Sequence, residues 1–192
     1  MDGSSGIVFI LWTGKKERDL VSLEKDLKEA GYRPKLLPTL CDGDLQCWAR
    51  LKEGDFTNYV ASAAKRVHDQ KPAAVIGISR YGYLALLLAA KDEGQTSYAV
   101  ISPVVNLLDL EEFRGQKKTS ISDIRDLADS LQGKRIFIAI GRYDTRVNTF
   151  SSITLTRKVP SITLLMTASN GHNYPPVNRI VVDWIKRESY WN

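Results

Sequence analysis

Three short stretches of the chain carry side chains that together can do acyl chemistry. "GISRYG" holds Ser79, "GRYDTRV" holds Asp144 and "SNGHNYP" holds His172. A serine hydroxyl is a weak nucleophile until a neutral imidazole takes its proton during attack. A carboxylate that orients the imidazole also stabilises the imidazolium that forms. Each of the three follows an apolar run of strand type, so each would sit at a strand end. The second histidine, His68, falls on the polar side of an amphipathic stretch and reads as a surface residue.

The elements that must position these groups alternate along the chain. Strands are expected at 6–13, 32–40, 73–78, 97–102, 135–141 and 161–167. The second is demoted toward a sheet edge by its prolines. Helices are expected at 16–31, 55–70, 81–93, 120–132, 148–159 and 175–191. Asp55 is the expected N-cap of the second helix. The last helix carries proline in its first turn and should turn Val177, Ile180, Val181, Trp184 and Ile185 inward. Between them, "CDGDLQCWARLKEG" at 41–54 reads as irregular and contains Trp48, a stretch able to form a partial cover over the site.

Strands apolar throughout and separated by helices imply a mostly parallel sheet covered on both faces. Right-handed crossovers then give a doubly wound, six-stranded α/β domain spanning 1–192, with 1–5 as a flexible leader. In such sheets chemistry gathers at the carboxyl ends of the strands. A serine placed there, between strand and helix, projects its hydroxyl above the sheet on a strained turn whose neighbours must be small. Gly77 lies two residues before Ser79 and Gly82 three residues after it. Arg80 is either a solvated helix-start residue or a charge near a developing oxyanion. Trp12, Tyr81 and Tyr143 either line a substrate pocket or pack as ordinary aromatics. Asp109, Glu111 and Glu112 read as a solvated helix face.

Composition narrows the function. The net charge of +5 is spread along the chain, whereas nucleic-acid binding asks for a dense basic stripe. No apolar run approaches the ~18 residues of a membrane span, and the N-terminus lacks the basic and small-residue pattern of a signal peptide. Neither nucleic acid nor membrane is therefore an expected partner. Cys41 and Cys47, the two cysteines of the chain, are expected to be reduced thiols of a cytoplasmic protein, with a short-loop disulfide as the alternative. No cofactor or metal is implied.

The blocks "VIGISRYGYLALLLAA", "VISPVVNLLDLEEF", "IFIAIGRYDTRV" and "GHNYP", in this order over roughly residues 73–188, resemble the α/β-hydrolase superfamily. Within it, the chain resembles small serine esterases similar to dienelactone hydrolase and the prolyl-oligopeptidase-like hydrolases. The chain order Ser, Asp, His is that of the superfamily's triad. The resemblance implies Ser79 as nucleophile, His172 as general base and then acid, and Asp144 as its orienting carboxylate. It implies an oxyanion hole made by the backbone N–H of Arg80 with Thr13 or Gly14. The chain departs from the family pattern at Tyr81, where glycine is usual. It departs also at Leu11–Trp12, where His–Gly is usual, and at Asn106, where relatives often carry aspartate. The fold's usual first two strands are missing, which implies a minimal version with no large lid domain.

The expected function is hydrolysis of small carboxylic esters through a Ser-His-Asp triad and an acyl-enzyme. A thioesterase, peptidase or acyltransferase would use the same residues. An idle hydrolase fold serving as a binding or scaffold module is the alternative that Tyr81 and the altered oxyanion strand motivate. A flavodoxin-like phosphate binder would need a glycine-rich loop after the first strand, and "WTGKKERD" holds one glycine. An open sheet edge would permit a homo-oligomer.

Overall fold

A computed structural model describes residues 6–12, 18–41, 44–113, 115, 119–168, 171–172 and 177–189. Residues 1–5, Thr13, Gly14 and residues 175–176, where the last helix is expected to start, lie outside these residues.

Six strands form one all-parallel sheet in the order β2-β1-β3-β4-β5-β6. They are β1 (Ile7–Leu11), β2 (Arg33–Leu37), β3 (Ala74–Ile78), β4 (Ser97–Ile101), β5 (Ile136–Gly141) and β6 (Thr163–Thr167). The helices are α1 (Arg18–Glu29), α2 (Leu45–Arg50), α3 (Glu53–Gln70), α4 (Arg80–Lys91), α5 (Ala128–Leu131), α6 (Thr149–Lys158) and α7 (Val177–Ser189). The strand order reverses direction between β1 and β3, the switch point at whose carboxyl side sheets of this kind gather their chemistry.

Alternation along the strands builds two cores. Val8, Ile10, Ala74, Ile76, Ala99 and Phe137 face α1 and α7. Phe9, Leu11, Val75, Tyr98, Val100 and Ile138 face α3, α4 and α6. The central strands β3, β4 and β5 are buried along their whole length, which is why each reads as a continuous apolar run. β6, at the edge, is only partly covered. Every residue of α4 from Tyr81 to Ala89 is buried.

Four local expectations are corrected. Segment 41–54 is not irregular: it supplies α2, within which Trp48 is fully buried. Lys52, not Asp55, caps α3; the Asp55 carboxylate accepts the Lys52 N–H at 2.7 Å from inside the first turn. The helix expected at 120–132 breaks into a 3-10 turn, Ile124–Leu127, and the single turn of α5. Its start is taken by the side chain of Asp123, which accepts the Arg125 N–H at 2.9 Å. Finally, Ile180 is 41% exposed because it lies off the stripe formed by Val177, Val181, Trp184 and Ile185.

The cysteines are corrected as well. Cys41 and Cys47 form a disulfide, their Cα atoms 5.5 Å apart. Asp44 N–H bonds to Cys41 C=O, and α2 begins at the next residue, which brings Cys47 back over Cys41. The argument from reduced thiols for a cytoplasmic location falls with it. Among the described residues no helix is long and apolar enough to cross a membrane.

Candidate active site

Ser79 joins β3 to α4 with φ 57° and ψ −123°. A non-glycine residue pays about 1–3 kcal/mol for such a backbone conformation, so the surroundings must impose it. Two glycines allow the turn. A Cβ on Gly77 would lie 2.4 Å from the carbonyl oxygen of Tyr81, and one on Gly82 would lie 2.7 Å from the Cβ of Pro103. α4 therefore presses directly on the end of β3, and the loop after β4 presses on α4. Tyr81 fits where glycine is usual in relatives because its ring turns inward. It is 3% exposed, 6.5 Å from the Trp12 ring and 5.9 Å from the Trp48 ring, centroid to centroid.

Backbone hydrogen bonds fix the same turn. Ser79 N–H donates to Ile101 C=O at 2.9 Å. Ser79 C=O accepts two bonds, from Gly82 N–H at 2.9 Å and Val104 N–H at 3.1 Å. No peptide bond among the described residues is cis. In a trans peptide the carbonyl and the following N–H point in opposite directions. Holding the Ser79 carbonyl twice therefore aims the Arg80 N–H the other way. As the first residue of α4, Arg80 has an N–H with no partner inside its own helix, at the positive end of the helix dipole.

Asp144 and His172 meet two strands away. Asp144 follows the end of β5, and His172 follows β6. His172 Nδ1 lies 2.7 Å from Asp144 Oδ2, with the aspartate side chain fully buried and the imidazole 8% exposed. Asp144 Oδ1 accepts the backbone N–H of Arg146 at 2.8 Å and of Val147 at 3.3 Å. Burial pushes the Asp144 carboxyl up, but the bonds from His172, the Arg146 N–H and the Ser102 hydroxyl outweigh it and hold the carboxyl below its ordinary range. An ionised carboxylate only accepts, so Nδ1 of His172 is the donor in this bond.

The sheet rim links this pair to the serine. β4 lies between β3 and β5. Its last residue, Ile101, holds Ser79, and the hydroxyl of the next, Ser102, helps to hold the Asp144 carboxyl down. Ser102 is 2% exposed and adopts φ 44°. The sequence reading passed over Ser102; its signal was its position at a strand end in "VISP". Asn106 is not part of this group: its side chain caps a 3-10 turn, accepting the Leu108 N–H at 3.0 Å.

Other expectations divide. Arg80 is not a solvated helix-start residue. Its side chain is 18% exposed, with Nη1 2.7 Å from Glu112 Oε1 and its guanidinium 5.5 Å from the centre of the Trp48 ring. Glu112 is accordingly not on a solvated face: it sits in a 3-10 turn, Glu111–Phe113, with its side chain 19% exposed. Asp109 accepts the Ser151 hydroxyl at 2.9 Å, and Glu111 is exposed. Trp12 and Tyr81 are packing residues, whereas Tyr143 is 54% exposed beneath the Arg142 guanidinium. His68 is exposed. Thr13 and Gly14, expected to complete an oxyanion hole, lie outside the described residues.

The sheet order and the strand-end groups define an α/β-hydrolase fold. Solved structures agree. The esterase Pf2001 of Pyrococcus furiosus superposes with a TM-score of 0.70 at 17% identity, covering 97% of this chain and 84% of the other. The esterase domain of a Rhodothermus marinus protein gives 0.68 at 12% identity, covering 94% and 85%. TT1662 of Thermus thermophilus gives 0.73 at 13% identity, covering 96% and 89%. No curated protein matches the sequence. A family model described as "Putative esterase" matches residues 58–184, more than half of the chain. The chain belongs to this Esterase family and is a hydrolase of the α/β superfamily.

Proposed function

We propose that the protein is a serine esterase acting on small carboxylic esters, with Ser79 as nucleophile, His172 as general base and acid, and Asp144 as the orienting carboxylate. The observation that carries this reading is the 2.7 Å bond between His172 Nδ1 and buried Asp144, on the strand rim that also carries the strained Ser79.

The reaction follows from these roles. Nε2 of His172 takes the Ser79 proton as Oγ attacks the ester carbonyl carbon. The oxyanion that develops is met by the Arg80 N–H, with Thr13 or Gly14 proposed as its second donor; losing one such donor typically costs about 3 kcal/mol. The imidazolium, stabilised by Asp144, gives its proton to the departing alkoxide, and an alcohol leaves. Water then attacks the acyl-serine with His172 as base, and the collapsing intermediate releases the carboxylic acid and restores the serine. Thioesters would pass through the same steps.

Turnover of a short-chain p-nitrophenyl ester by wild type, Ser79→Ala and His172→Ala tests the proposal. Loss of turnover in both variants supports it. Equal rates in all three would overturn it, and absence of Ser79 labelling by a fluorophosphonate in the folded protein would favour an idle binding module.

A further inference from the structure

We infer that the Arg80 side chain is a positioning residue for the hydrolysis, clamped by Glu112 and Trp48 so that its own backbone N–H stays aimed at the oxyanion. The inference rests on the serine-esterase reading and adds residues which that reading does not use.

The peptide between Ser79 and Arg80 has two ends to hold. The carbonyl end is held by Gly82 and Val104 N–H groups. The Arg80 end has no helical partner of its own, and its backbone follows a residue in a strained conformation. Its side chain supplies the missing anchor. Glu112 holds the guanidinium as an ion pair, N···O 2.7 Å but without hydrogen-bond geometry, and the guanidinium carbon sits over the Trp48 ring, 5.5 Å from its centre. A cation over an indole is the strongest of the cation–π pairings, and it strengthens as the pair leaves water. Arginine suits this place because a guanidinium is more weakly hydrated than an ammonium and so enters a half-buried pair at lower cost.

Both anchors come from excursions beyond the strand ends. Trp48 belongs to α2, between β2 and α3, and Glu112 to the 3-10 turn between β4 and β5; α2 packs against that turn. Trp48 is itself immobilised: it is fully buried, 5.9 Å from the Phe56 ring and 5.9 Å from the Tyr81 ring, and it follows the disulfide-bonded Cys47 directly. Two segments far apart in sequence thus converge on the residue after the nucleophile. A surface arginine would need neither.

A misaimed donor costs less than a deleted one, whose loss takes roughly 10²–10³ from kcat. Glu112→Gln, nearly identical in shape, is therefore expected to lower kcat about tenfold and leave KM within about twofold. Arg80→Met should do the same, and the double variant should be no slower than the worse single, because both changes release one clamp. Trp48→Phe should retain more of kcat than Trp48→Leu. Fluorophosphonate labelling runs alongside, with melting curves to show that each variant is folded. Labelling of wild-type Ser79 that slows in folded Glu112→Gln supports the clamp. Labelling at the wild-type rate with unchanged kcat overturns the clamp and leaves the esterase reading standing. A rise in KM with kcat intact also overturns it, since Arg80 would then be holding substrate. Failure of wild type to label at all overturns both.

Discussion

The Val104 N–H donates to the Ser79 carbonyl at 3.1 Å. This one bond ties the loop after β4 to the turn after β3. The same loop carries Pro103 against Gly82 and Ser102 against Asp144. The third and fourth strand ends therefore act as one piece, and the carbonyl side of the Ser79–Arg80 peptide is fixed by backbone bonds. Such preorganisation is what electrostatic stabilisation of a developing oxyanion requires.

Strain at Ser79 predicts a trade between stability and activity. Glycine adopts φ 57° without the penalty a serine pays, although it loses about 0.5–1 kcal/mol in backbone entropy. Ser79→Gly should therefore be more stable than wild type by about 1 kcal/mol, seen as a Tm rise of roughly 2–4 °C. It should also be inactive. A Tm equal to or below that of Ser79→Ala would show that the turn stores no strain.

The Asp144–His172 pair sets a pH dependence. The Asp144 carboxyl is held below its ordinary range in the folded protein, so its stabilising contribution is complete above about pH 4, where the unfolded group ionises. It is lost as pH falls through the lower folded-state value. Asp144→Asn should be less stable than wild type at neutral pH and should show a shallower loss of stability on acidification. Urea unfolding followed from pH 7 down to pH 3 measures this, and parallel curves for the two proteins would contradict it. In the ester assay the same variant should lose about 10³–10⁴ in kcat, because the imidazole then presents the wrong tautomer.

The glycines at the elbow permit no side chain. Gly77→Ala places a methyl 2.4 Å from the Tyr81 carbonyl oxygen, a backbone atom that moves only if α4 moves. Overpacking of this kind costs about 1–3 kcal/mol and displaces the helix start that carries Arg80. Gly77→Ala is expected to lose both Tm and kcat. Gly54→Ala, with nothing within 4 Å of the added methyl, should lose neither. Equal behaviour of the two variants would mean that the close approach is not what the sequence protects.

These outcomes also mark what a one-dimensional reading can and cannot reach. β3, β4 and β5 were legible because a strand buried on both faces is apolar at every position. Ser79, Asp144 and His172 stood out because parallel topology sends strand ends to one rim. Glu112 did not, because its role depends on Arg80, 32 positions earlier (112 − 80), and nothing local distinguishes a paired glutamate from a solvated one. Ser102 was hidden for the same reason: its partner lies on the next strand's loop. Trp48 was read as part of an irregular cover because α2 is too short, Leu45–Arg50, to show periodicity.

The disulfide gives a last prediction. Cys41 and Cys47 are six positions apart, so their bond closes a very small loop. The chain-entropy model assigns such a loop about 2 kcal/mol of stabilisation, acting through the unfolded state. Reduction should therefore lower Tm by roughly 4–8 °C for a protein of this size. The location adds a second effect. Cys47 precedes Trp48, whose ring fills the space between Phe56, Tyr81 and the Arg80 guanidinium. Opening the loop frees the start of α2, and the indole should gain access to water before the sheet melts. Reduction by a dithiol exchanges the protein's S–S bond for two thiols and leaves the reagent as its cyclic disulfide, so the unreduced protein is the proper control. Tryptophan fluorescence during a thermal ramp, with Trp48→Phe to assign the signal, should show an early red shift in the reduced protein and in Cys41→Ser/Cys47→Ser, and none in the oxidised form. Coincident single transitions at one Tm in all three would mean that the bond neither stabilises the chain nor braces α2.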